Sequence, residues 1–239
     1  RDPLDSTSLD WPEPIALPTG ERLDGLRVGV IAELMGEGIE PGVRQAVERS
    51  MTLVEELGGR VVPISLPTSA HGLATYYLIA PAECSANLAR FDGVRYGPRV
   101  VADTLLDQYE LTRGELFGPE VKRRIMLGTF ALASGYYDAY YRRAQQVRTL
   151  IVNDFARAFE SVDLIASPTS PSVAFKLGER TADPLSMYLA DICTVPVSLA
   201  GLPSISSPSA TGAAAADTGA AAAGAAEASP SPIALRTIA

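Results

Sequence analysis

The sequence predicts an α/β fold, and three observations carry that expectation. Leu26 to Ala32 (LRVGVIA) and Arg60 to Leu66 (RVVPISL) are short apolar runs rich in β-branched residues, as in buried strands. Between them, Pro41 to Gly58 has helical spacing, with Val43, Ala46, Val47, Val54 and Leu57 on one side and Gly58-Gly59 at its end. Strand, helix and strand within about 40 residues form a βαβ unit, whose two strands are parallel. The third observation is Gly118 to Glu160, which reads as two amphipathic helices joined near Ser134-Gly135.

From Arg1 to Arg22 the chain is rich in Pro, Asp, Ser and Thr and reads as a surface connection with little regular structure. Gly36 and Gly38 follow the first strand. Their spacing matches neither the dinucleotide fingerprint nor the P-loop, so a plain loop is the simpler reading. His71 to Arg90 is the next helical region and carries Tyr76, Tyr77, Glu83, Cys84 and Asn87. Phe91 to Gly97 (FDGVRYG) is a glycine-punctuated loop. Segment 98–117 is polar, irregular in pattern, and reads as a mobile connection.

In the helical pair, Pro119 suits the first helical position, where its missing N–H would be unpaired in any case. Val121, Ile125, Gly128 and Leu132 then form an apolar stripe, and Gly135 is a plausible stop. In the second helix Tyr140, Ala144, Val147, Ile151, Phe155 and Ala158 continue the period, while Arg142, Arg143, Arg148 and Arg157 decorate the other faces. Four tyrosines (Tyr136, Tyr137, Tyr140, Tyr141) crowd the junction and read as packing, beyond the basic cluster Lys122, Arg123 and Arg124. Asp163 to Ser167 (DLIAS) is a strand, broken by Pro168-Thr169-Ser170-Pro171. Pro184 to Cys193 looks like a short helix, with Pro196 ending the run, and Ser198 to Ser206 leads into another short strand. Residues 209–231 are almost all Ala, Gly, Ser, Thr and Pro, with no apolar stripe to dock, and read as a flexible loop. PIALRTIA, Pro232 to Ala239, regains strand character.

Composition narrows the function. Hydrophobic residues make up 47%, enough for a sizeable core in 239 residues. The net charge of −8 argues against a broad nucleic-acid-binding face. Two cysteines, Cys84 and Cys193, imply no disulfide framework and fit a reducing cytoplasm. No apolar run reaches the roughly 18 residues of a membrane span. The chain opens on Arg1-Asp2-Pro3 without an initiator Met and reads as a fragment. His71 is the sole histidine, has no acid or cysteine cluster near it in the sequence, and reads as a surface residue. No Ser-His-Asp triad can be assembled from it, and HExxH, CxxC and Gly-x-Ser-x-Gly are all missing.

Longer motifs carry the argument further. EVKRRIMLGTFALASGYYDAYYRRAQQVRTLI, FDGVRYG, YYLIAPAECSANLAR at Tyr76–Arg90, DPLSMYLADICTVPVSLAGLP at Asp183–Pro203 and DPLDSTS at Asp2–Ser8 resemble the amidase signature family. Within it they resemble the A subunits of bacterial glutamyl-tRNA(Gln) amidotransferases, over essentially all of residues 1–208. The resemblance implies a mixed β-sheet flanked by helices on both sides, present here as one incomplete domain over residues 1–239. It also implies a Ser–cis-Ser–Lys triad in a Gly/Ser-rich region that precedes DPLDSTS. Nothing in this sequence matches that region, so no catalytic nucleophile or base is assigned and the chain alone is expected to be inactive.

What does carry over is the glutamine-binding side: Tyr76, Arg124 and Asp191. Arg124 suits the substrate α-carboxylate, which its planar fork can grip with two hydrogen bonds. Asp191 suits the α-ammonium, and Tyr76 helps orient the amino acid. Each has a plainer reading: Arg124 as a solvated helix residue, Asp191 as helix-end electrostatics, Tyr76 as core with its hydroxyl satisfied. The resemblance further implies a cytoplasmic heterotrimer with B and C subunits. The A subunit would supply ammonia from glutamine. ATP and Mg2+ would be used by the partner subunit, which would also handle Glu-tRNA(Gln). The alternatives are a free-standing amidase of the same fold, or a non-catalytic packing subunit. Residues 209–231 depart from the family as a loop expansion before a returning strand, and the family continues beyond Ala239, so the chain reads as truncated at both ends.

Overall fold

A computed structural model describes residues 1–5, 8–10, 20–179 and 184–207. The expected flexible loop over 209–231, the strand at Pro232–Ala239 and much of the opening connection lie outside the described residues. Where residues 1–22 are described, they form no helix or strand.

Among the described residues three parallel strands make the sheet, in the order β2-β1-β3. They are β1 (Arg27–Ile31), β2 (Arg60–Ile64) and β3 (Leu164–Ala166). Arg27 aligns with Arg60 and Ile31 with Ile64, while Val28 aligns with Leu164. The parallel βαβ unit expected from the sequence is present, with α1 (Pro41–Glu56) as its crossover. An ion pair ties β1 to the turn before β3. The Arg27 guanidinium donates to both Asp163 oxygens at 2.8 and 3.1 Å, and the Arg27 amide donates at 2.9 Å. These bonds hold the Asp163 carboxyl down at about 2.

Helices pack on the sheet around one cluster of buried side chains. Ile31, Leu66, Ile151, Phe155 and Val162 are its most enclosed large members. The helices are α2 (Gly72–Leu88), α3 (Leu105–Leu116), α4 (Pro119–Leu132), α5 (Arg143–Ser161), α6 (Pro184–Leu189) and α7 (Val195–Ala200). Polar groups secure the loops after the strands. Glu33 accepts from the Ser65 hydroxyl and the Leu66 amide, and buried Asp154 accepts from the Thr68 amide and Arg157. Burial pushes the Glu33 carboxyl up, but its hydrogen bonds outweigh that and leave it below its ordinary range.

Four sequence expectations are corrected. Segment 98–117 is not an irregular connection, because α3 fills most of it. Thr104 caps this helix by accepting from the Asp107 amide at 3.1 Å and returns a hydroxyl bond to the Asp107 carboxylate at 2.6 Å. Second, the period of α5 does not run back through Tyr140. A π-turn spans Asp138–Arg142, with the Arg142 amide reaching the Tyr137 carbonyl five residues back. The extra residue turns Tyr141 inward to donate to Glu83 at 2.8 Å and leaves Tyr140 exposed.

Third, Pro196 does not end a helix. It sits in the first turn of α7, where proline is tolerated, so turns at residues 190–194 separate α6 from α7. Ser198 lies in that helix, and residues 202–207 form no strand. Fourth, Arg148 does not merely decorate α5: its Nε donates to the Leu199 carbonyl in the last turn of α7 at 2.8 Å. The junction tyrosines do pack, with Phe130 and Tyr136 rings 4.3 Å apart, yet Tyr136, Tyr137 and Tyr140 remain exposed. His71 is a surface residue, as expected.

Candidate functional site

Three elements bring the expected substrate-side residues toward one place, and a single close approach governs two of them. α2 and α4 cross at Gly128. A Cβ there would stand 1.9 Å from the Pro81 carbonyl oxygen, so only glycine lets the backbones meet this closely. Ser85 and Thr129 hydroxyls hydrogen-bond beside the crossing at 2.9 Å. Pro81 lies buried inside α2.

Arg124 is one turn before Gly128, on the face turned toward α2. Its Nη1 donates to the Tyr76 hydroxyl at 3.2 Å and its Nε to Glu120 Oε1 at 2.9 Å. The Arg124 side chain is 29% exposed against 55% for Arg123, which separates it from the solvated members of its basic cluster. The Tyr76 hydroxyl and the Glu120 carboxylate hold the guanidinium still more firmly in its charged form, against partial burial. Tyr76 is half-buried, with its hydroxyl engaged by a charge rather than by backbone.

Asp191 sits on the turn between α6 and α7, not inside a helix. Its backbone is held at both ends: its amide donates to the Tyr188 carbonyl at 3.1 Å, and its carbonyl accepts from the Val195 amide at 3.0 Å. The residue is exposed, and no cation pairs with its carboxylate among the described residues. Tyr77 links the two halves. Its ring lies 4.3 Å from that of Tyr188 and stands edge-on to Tyr76 at 5.1 Å. Burial, and then the neighbouring Tyr188, push the Tyr77 phenol up to about 12, with Arg124 opposing and Asp191 adding. The structure therefore joins Tyr76 and Arg124 directly and connects Asp191 to them through the Tyr77–Tyr188 pair.

Sequence reasoning missed Glu120, Tyr77 and Tyr188. Glu120 had a signal, since it stands four residues before Arg124 on one helix. The tyrosine pair spans 111 positions (188 − 77) and had none. The arrangement presents a cationic fork, a phenol and a carboxylate, which is chemistry for gripping a zwitterionic amino acid rather than for breaking a bond. Among the described residues no lysine donates to a serine. The chain has two lysines, and the Lys122 ammonium is bound to the Gly114 carbonyl at 2.8 Å. Two hollows of about 100 and 240 Å3 lie around Phe117 and Arg113, and neither is lined by Tyr76, Arg124 or Asp191.

Comparison with known proteins identifies relatives of the chain. The chain is 56% identical over 210 residues to the A subunit of glutamyl-tRNA(Gln) amidotransferase from Chloroflexus aurantiacus, covering 87% of this chain and 43% of that protein. It is 58% identical to the protein of the same name from Geobacillus kaustophilus, with the same coverage of each chain. The crystal structure of the corresponding A subunit from Thermotoga maritima superposes with a TM-score of 0.60 at 37% identity, over 85% of this chain and 39% of that one. A crystal structure of an amidase shares the fold, with a TM-score of 0.55 at 20% identity over 77% of this chain and 38% of that one. The chain thus spans less than half the length of these relatives. A family model described as amidase matches residues 1–239, and the chain belongs to that family.

Proposed function

We propose that this chain forms the glutamine-recognition part of the A subunit of a tRNA-dependent amidotransferase, which converts Glu-tRNA(Gln) to Gln-tRNA(Gln). The observation that carries the reading is the Arg124–Tyr76 pair with Asp191 set beside it through Tyr77 and Tyr188. The fork meets the glutamine α-carboxylate, the exposed Asp191 carboxylate accepts from the α-ammonium, and the Tyr76 hydroxyl orients the bound amino acid. The relatives' shared name supports the larger reaction. Ammonia released from glutamine passes to a B subunit, which amidates ATP-activated Glu-tRNA(Gln), with a small C subunit completing a cytoplasmic heterotrimer. ATP and Mg2+ serve that partner step. Among the described residues of this chain no three His, Cys, Asp or Glu side chains gather to hold a metal.

The test is made in the full-length protein in complex with its partners. Arg124→Ala and Asp191→Asn each remove one half of the amino-acid grip. Loss of one charge-assisted contact costs about 1.5–3 kcal/mol, so glutamine-dependent kcat/KM falls roughly tenfold to a hundredfold. Arg124→Lys recovers little, because a point charge does not reproduce the planar fork. Amidation driven by added ammonium survives in all three. Undiminished glutamine use in both Arg124→Ala and Asp191→Asn removes these residues from the site.

A further inference from the structure

A guanidinium grips a carboxylate well only when its plane is held in the right rotation. Arginine side chains turn freely about several bonds, so something must set that plane before substrate arrives. Here Nε is held by Glu120 Oε1 at 2.9 Å and Nη1 by the Tyr76 hydroxyl at 3.2 Å. Nη2 has no hydrogen-bond partner among the described residues. Glu120 is itself pinned, because its other oxygen accepts from Arg123 Nη1 at 2.8 Å. It lies in the first turn of α4, where helix geometry brings residues three and four positions on within reach and the helix end favours an acid.

As a contribution to stability this pairing counts for little. The Glu120 side chain is 48% exposed, and ion pairs in water add little to folding. Its consequence is geometric: with Nε given to Glu120 and one N–H of Nη1 given to Tyr76, the free donors are the second N–H of Nη1 and both N–H groups of Nη2, side by side at the end of the fork. The geometry points to Glu120 as a positioning residue that fixes the Arg124 fork so that Nη2, beside the Tyr76-bound Nη1, meets the substrate α-carboxylate. This rests on Tyr76, Arg124 and Asp191 being the amino-acid subsite. Glu120 touches no substrate atom itself and acts through Arg124. The opposite role is physically sensible too, since a carboxylate already on the guanidinium could compete with the substrate's. The two roles differ in sign.

The experiment uses the full-length protein with its partners and glutamine as the probe, comparing Glu120→Ala, Glu120→Gln, Arg124→Ala and the double variant Glu120→Ala/Arg124→Ala. Glu120→Ala raises the glutamine KM roughly three- to tenfold with kcat little changed, as expected when binding geometry loosens while the chemistry stays intact. Glu120→Gln raises it less, because the amide oxygen still accepts from Nε. The double variant is no worse than Arg124→Ala alone, since Glu120 has nothing left to position. Ammonium-driven amidation is unchanged in Glu120→Ala and Glu120→Gln. A glutamine KM that falls in Glu120→Ala identifies a competitor and overturns the inference. So does an equal loss of glutamine-driven and ammonium-driven activity, which marks a structural role. If Arg124→Ala raises KM while Glu120→Ala leaves it unchanged, the Glu120 role fails and the subsite stands; if Arg124→Ala leaves KM unchanged, the subsite reading itself fails.

Discussion

At the scale of single residues, Tyr77 joins the two parts of the site. It is surrounded by two rings, and its phenol is pushed up to about 12, first by burial and then by Tyr188. While the fold persists, a spectrophotometric phenolate titration should show this group ionising near pH 12 instead of near 10, and Tyr77→Phe should remove that late step. All phenols titrating near pH 10 in the folded protein would contradict it. The linked stability has a definite sign. The fold favours the neutral phenol, so this contribution is fully present below about pH 10 and is lost as pH rises toward 12. Tyr77→Ala, unlike Tyr77→Phe, loses both ring contacts, each worth about 0.5–1.5 kcal/mol beyond burial. It should also raise the glutamine KM of the assembled enzyme, because the turn bearing Asp191 loses its link to α2. Equal KM values for the two variants would show that the stack does not position Asp191.

At the scale of elements, the crossing of α2 and α4 sets the distance between Tyr76 and Arg124. Gly128→Ala would force a methyl group against the Pro81 carbonyl, a backbone atom with no rotamer to yield. Overpacking of this kind costs about 1–3 kcal/mol. Denaturant melts should show that loss, and the glutamine KM should rise as the helices separate. A variant as stable as the parent would mean the helices part without penalty. The sheet carries a second dependence, on pH. Asp163 ionises at about 2 because Arg27 grips it, so the staple between β1 and β3 is intact above about pH 4 and is lost as pH falls through 2. Arg27→Ala should flatten that segment of the stability–pH curve. An unchanged acid limb would show that the pair contributes nothing to the folded state.

At the scale of the whole molecule, one buried cluster links the sheet to α1, α2, α5 and α7, and Phe155 and Ile151 lie near its centre. Phe155→Ala should cost about 3–5 kcal/mol by chemical denaturation, with a larger cavity giving the larger loss. The chain spans less than half the length of its relatives. The Arg124 guanidinium meets the Tyr76 hydroxyl, whereas no lysine donates to a serine among the described residues and the Lys122 ammonium is occupied by a carbonyl. These 239 residues alone should therefore bind glutamine weakly and release no ammonia from it. A coupled ammonia assay on the folded chain checks this, and turnover abolished by a point change within the chain would refute it.

Local periodicity and capping chemistry made the βαβ unit legible in advance, along with Pro119 opening α4 and the inward faces of α1 and α5. Those features depend on residues within one or two turns of each other, which a linear chain displays directly. The same locality failed where one residue changes phase. The π-turn at Asp138–Arg142 exchanges Tyr141 for Tyr140, and Pro196, which reads as the end of a helix, instead lies in the first turn of α7. α3 was hidden because its signal lies in the capping pair Thr104 and Asp107 rather than in an apolar stripe. Residue types at the site pointed to Tyr76, Arg124 and Asp191 only through resemblance, because their partnership is not local. Tyr76 and Arg124 are 48 positions apart and meet because Gly128 lets two helices touch. Asp191 is reached through a ring on α2 and another on α6. Local order along the chain specified the βαβ unit and the inward faces of α1 and α5, and the close packing of α2 on α4 decided that one arginine of a basic cluster turns inward to a phenol while its neighbour stays in water.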